Sequence, residues 1–87
     1  MKEITEAEAI ELARGADCPV ISQETNDETD SDVCLKKFPS CYVLGASCDA
    51  TDTFKLYGFD DLDTAKAEYE TLVGVMRRTG TPFGALS

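Results

Sequence analysis

From Asp61 to Gly80 the sequence carries the pattern that most narrows the fold. Leu62, Ala65, Tyr69, Leu72, Val73 and Met76 fall within about 100° of arc when each residue advances by about 100°. This spacing predicts a helix with one wide apolar face. Asp61 is placed to cap its start, and Asp63 suits the positive end of the helix dipole. Lys66 and Glu70 form an i,i+4 pair, Arg77 and Arg78 complement the negative end, and Gly80 supplies the stop. A stripe this wide is stable only when packed against another element, so the rest of the chain must provide a surface for it.

That surface reads as a sheet. Thr5 with Glu8 is a capping box, which predicts a first helix over 6–14 with Ala7, Ala9, Ile10 and Ala13 on one side and Glu8 and Glu11 on the other, ended by Gly15. Cys18-Pro19-Val20-Ile21-Ser22 reads as a short strand, which Pro19 confines to an edge or a strand start. Asp32 to Phe38 alternates around Val33 and Leu35, Pro39-Ser40 turns the chain, and Cys41-Tyr42-Val43-Leu44 continues as an apolar strand. Phe54 and Leu56 alternate with Lys55 and Tyr57 in a further strand that stops near Gly58. The order α-β-β-β-β-α with short connections predicts an α+β domain over 1–80. Its simplest form is an antiparallel meander sheet with both helices packed on one face, followed by an irregular tail over 81–87.

A single domain of 87 residues hides only about 60–65% of the surface its unfolded chain exposes, which favours a macromolecular contact surface over a deep pocket. Seventeen acidic against eight basic residues give a formal charge of −9, and with no histidine that charge is constant around neutral pH. Direct binding to nucleic acid or to an anionic membrane is therefore not expected, and a field aimed at a basic partner is. The first residues, Met1 to Glu6, lead into an acidic helix with no apolar signal core, and no run approaches membrane-spanning length. The expected compartment is the cytoplasm, where Cys18, Cys34, Cys41 and Cys48 are reduced thiols.

The usual chemistries lack their residues. The cysteines stand 16, 7 and 7 residues apart, whereas structural zinc sites use ligands paired about two to four apart. A two-residue turn at Pro39-Ser40 pairs position 34 with 45, so a Cys34–Cys41 bridge is out of register. Histidine, the common base for a serine or cysteine nucleophile, is missing, and the glycines stand alone rather than in a phosphate loop. Asp27-x-x-Asp30-x-Asp32 has partial calcium-loop spacing without the glycine or glutamate such a loop needs. The expectation is a binding protein, not an enzyme, with no cofactor and no metal.

The carboxylates cluster. Glu24 to Asp32 holds five in nine residues, and in a four-strand meander this loop lies at the same end of the sheet as the loop over 48–52. Asp27, Glu28, Asp30, Asp32, Asp49 and Asp52 are therefore the candidate partner-binding residues, with Arg77 and Arg78 returning toward them on the second helix. Carboxylates spread within a Debye length of one another imitate a run of phosphates.

In small size, high acidity, clustered carboxylates and lack of a catalytic set, the chain resembles the phage-encoded inhibitors of bacterial defence, anti-CRISPR proteins among them. The resemblance is of size and charge, with no shared motif, and Lys36, Lys37, Arg77 and Arg78 interrupt the negative surface. It implies a protein that occupies the basic groove of a larger protein or ribonucleoprotein complex in a bacterial cytoplasm and blocks it by competition. Two alternatives stand beside it: an immunity or antitoxin protein that masks a toxin nuclease, and a metal or redox protein that uses the cysteines.

Overall fold

Both helices form, and their caps are those the sequence encodes except at the end of the first, which stops at Ala13 and is closed by Arg14 in the left-handed conformation at φ 52°, one residue before Gly15. The computed structural model describes residues 2–84. In it, α1 is Glu6–Ala13 and α2 is Leu62–Thr79. The Thr5 hydroxyl accepts from the Glu8 amide at 3.1 Å, and the Glu8 carboxylate accepts from the Thr5 amide at 3.1 Å. At α2, the Asp61 carboxylate accepts from the Thr64 amide at 2.9 Å, which holds its pKa below the ordinary carboxylate value. Gly80, at φ 92°, closes the far end by donating its amide to the Met76 carbonyl at 2.8 Å.

Between the helices lie the four expected strands, β2 (Val20–Asn26), β3 (Ser31–Lys37), β4 (Tyr42–Cys48) and β5 (Thr53–Phe59), which pair consecutively as an antiparallel meander. A fifth strand, β1 (Lys2–Ile4), adds to the free edge of β5 and gives the order β1-β5-β4-β3-β2. The β3–β4 register is the expected one, with Cys34 opposite Gly45 and the Phe38 amide donating to the Cys41 carbonyl at 2.9 Å. The α+β architecture with an antiparallel sheet and two helices is thus as read from the sequence, with one strand added.

The placement of the helices on one face is corrected. Val33, Leu35, Leu44 and Phe59 point to one side of the sheet and meet Ala65, Val73 and Met76 of α2. Ile4, Val43 and Leu56 point to the other side, where they meet Ala9, Leu12 and Ala13 of α1. Val43 and Leu44 are successive residues of β4, so their side chains leave opposite faces. The reason lies in topology: β1 and β2 are the two opposite edges of the sheet, and the chain between them crosses the face that α2 leaves free.

The apolar stripe of α2 is core, as its periodicity demands: Ala65, Val73 and Met76 are buried, and Leu62, Tyr69 and Leu72 pack beside them. Beyond α2 the chain is irregular, yet Thr81 and Pro82 are buried, with the Thr81 hydroxyl donating to the Gly84 carbonyl at 2.9 Å. Residues 85–87 of the expected tail lie outside the described residues. No helix among the described residues is long and apolar enough to cross a membrane.

Candidate functional site

At one end of the sheet the β2–β3 and β4–β5 turns meet. The Asp49 amide donates to the Asp30 carbonyl at 3.2 Å and the Ala50 amide to the Thr29 carbonyl at 3.3 Å, so two segments twenty residues apart form one platform. Each turn is shaped by acidic or amide residues. Asn26 accepts the Glu28 amide on its side-chain oxygen at 3.0 Å, and Asp30 takes the left-handed conformation at φ 49°. In the second turn Asp49 opens a single 3-10 turn, Asp49–Thr51, which Asp52 closes at φ 51°. Aspartate and asparagine tolerate this backbone region better than most residues, so part of the acidity serves the turns themselves.

Asp27, Glu28, Asp30, Asp49 and Asp52 are all exposed on this platform. Asp32 is not with them. It lies within β3, half-buried, on the face of the sheet away from α2, where it accepts from the Gln23 side chain at 2.9 Å. The acidic loop is also shorter than expected. Ser22 to Asn26 continue β2 in register with β3, because an edge strand with polar alternation needs only a neighbour to pair with, and the turn proper is residues 27–30. Glu24 leaves the cluster in consequence and points toward α2.

There it meets Arg77, whose Nε and Nη2 each reach a Glu24 carboxylate oxygen at 2.6 Å. The paired hydrogen bonds lower the Glu24 pKa and raise that of Arg77. This is the one salt bridge among the described residues, so Arg77 neutralises Glu24 rather than the five platform carboxylates. The negative end of the α2 dipole points to the same end of the molecule and adds to its potential.

The platform is anchored from beneath by residues that the sequence does not single out. The Thr29 hydroxyl donates to the Gly80 carbonyl at 2.6 Å, and the Ser31 hydroxyl, 2% exposed, lies 2.7 Å from that of Thr29. These contacts fasten the β2–β3 turn to the last turn of α2, 51 positions away in sequence. A threonine and a serine beside a turn are a weak local signal, and their partner is visible only once the fold is known.

The cysteines are dispersed. Cys48 is fully buried beside the platform, where the hydroxyls of Ser31 and Thr51 favour its thiolate and lower its pKa against the opposing effect of burial. Cys34 lies on the α1 side of the sheet, and burial pushes its pKa up. Cys18 and Cys41 pack in the small cluster under α1, and the Cys41 pKa is likewise raised by burial. Among the described residues no three cysteine or carboxylate side chains come together to hold a metal, and the Asp27, Asp30 and Asp32 spacing produces no such group.

The opposite end of the molecule carries a cleft of about 690 Å³ with mixed charge: Lys2 and Arg14 share it with Glu8, Glu11, Asp60 and Asp61. No family model, curated protein or solved structure matches this chain.

Proposed function

We propose that the chain is an acidic binding protein that inhibits by presenting its turn platform to the basic groove of a nucleic-acid-binding complex. The observation that carries this reading is the platform itself: five exposed carboxylates on two turns joined by backbone hydrogen bonds, while the nearby Arg77 is spent on Glu24. Like charges gathered at one end of the molecule give that end a negative potential, which an opposing cationic surface meets favourably. Two turns tied together by backbone hydrogen bonds lose less entropy on docking than a free acidic loop, so more of the electrostatic attraction appears as affinity. No catalytic step is part of the proposal.

The test uses a variant that respects the backbone. Asp27, Glu28 and Asp49 are changed to lysine, whereas Asp30 and Asp52, with positive φ, are changed to asparagine to keep the turns. The native chain, immobilised in bacterial lysate at low salt and treated with nuclease, is expected to retain a basic protein or complex that the variant does not and that high salt releases. Equal capture by the variant, with its fold intact by circular dichroism, overturns the reading.

A further inference from the structure

The sheet face away from α2 has an open half. Strand register arranges it in three levels: Val20, Lys36, Val43 and Gly58; then Gln23, Cys34, Gly45 and Leu56; then Thr25, Asp32, Ser47 and Phe54. Helix α1 packs on Val43 and Leu56, and beside its Ala9 a groove of about 340 Å³ runs over all three levels, from Val20 and Lys36 past Cys34 to Asp32 and Phe54. Two of the three exposed large apolar side chains among the described residues line it, Val20 at 50% and Phe54 at 54%. Scattered apolar residues need no explanation, whereas two that line one groove mark a contact surface.

We propose that this face binds a second copy of the chain, the two sheets stacked with their strands antiparallel about a two-fold axis at the level of Cys34. The charge pattern selects this partner. Lys36 and Asp32 project from the same face of β3, one level either side of Cys34. A two-fold axis there exchanges the first and third levels, so the Lys36 of each copy faces the Asp32 of the other, twice over. A strongly basic partner gains little here, because the groove carries one carboxylate and one ammonium group and is electrically balanced.

The net charge of −9 per copy does not forbid the pair. Antiparallel stacking sends the two acidic platforms to opposite tips, separated by about the length of a seven-residue strand, roughly 24 Å. That exceeds the Debye length of about 8 Å at physiological salt, so their mutual repulsion is screened. Both platforms remain free, and the pair is bivalent.

Sedimentation velocity over about 5–200 μM chain at about 0.15 M salt provides the test. The native chain is expected to sediment as a dimer at the upper concentrations. Asp32→Lys and Lys36→Asp should each weaken that association by about tenfold or more, since each places like charges at both symmetric contacts. An equimolar mixture of the two variants should restore it to within about threefold, because in the mixed pair every contact is again between opposite charges. A native chain that remains monomeric at the top concentration overturns the proposal. So do variants that dimerise like the native chain, or a mixture that fails to recover. Circular dichroism of each variant confirms that any lost association is not lost fold.

Discussion

The two faces of the sheet do different work, and β4 shows it within two residues. Leu44 points under α2 into a layer with Val33, Leu35, Phe59, Val73 and Met76, all of them buried. Its neighbour Val43 points the other way, into a smaller cluster with Ile4 and Phe38 under the small residues Ala9 and Ala13 of the eight-residue α1. One face is sealed by an 18-residue helix, and the other is half covered and keeps exposed apolar groups. A domain of this size therefore concentrates its stability on one side and leaves the other side, and the acidic end, available for contact.

The sharpest way to break this comparison is at β4. Leu44→Ala is expected to cost about 2–5 kcal/mol through lost transfer energy and the cavity left in a layer that cannot collapse, measured by urea unfolding. Val43→Ala should cost about 1–2 kcal/mol, because fewer methyl groups are lost and α1 can settle toward the gap. If the Val43 change cost as much as the Leu44 change, the two faces would be equal partners in stability. Phe54→Ser, at a half-exposed position, should change stability by no more than about 0.5 kcal/mol when measured at a few micromolar chain.

The smallest effect is electrostatic. The Glu24 pKa is lower in the folded chain than in the unfolded one because of the Arg77 hydrogen bonds, so the unfolded state binds more protons as the pH falls. The contribution is present above the ordinary carboxylate pKa of about 4 and is lost as the pH drops through the lowered folded value. Arg77→Gln should lower stability slightly at all pH values above the ordinary carboxylate pKa, since the pair is exposed and its net value small. This deficit should vanish as the pH falls through the lowered Glu24 value, which flattens that part of the acid-unfolding curve.

Much of the fold was legible because it is local. The capping box at Thr5, the Asp61 cap, the α2 stripe and the Pro39-Ser40 hairpin are each written in fewer than twenty consecutive residues. What was missed depends on distant partners. Strand β1 has three residues and one apolar side chain, and it exists because Ile4 finds Leu56. Gly58 fails to end β5 because Ile4 covers it: a Cβ there would lie 3.6 Å from the Ile4 methyl group. The side taken by α1 did have a signal. Cys41-Tyr42-Val43-Leu44 is apolar without alternation, the mark of a strand covered on both faces, and two helices on one face leave that pattern unexplained. At the candidate site the sequence located both acidic turns and their shared end. The departure of Asp32 and Glu24 from the cluster follows from β2 running on to Asn26, which the polar residues Ser22 to Asn26 do not announce.

The measurement that bears most directly on the proposed function is the salt dependence of association between this chain and a complex retained in the lysate experiment. The native chain should associate quickly at low salt and slow steeply as ionic strength rises. The variant with Asp27, Glu28 and Asp49 reversed to lysine and Asp30 and Asp52 changed to asparagine should associate slowly, with a nearly flat salt response, because steering charges act on the rate of encounter. Association rates at low salt that are equal for the two proteins would contradict the account.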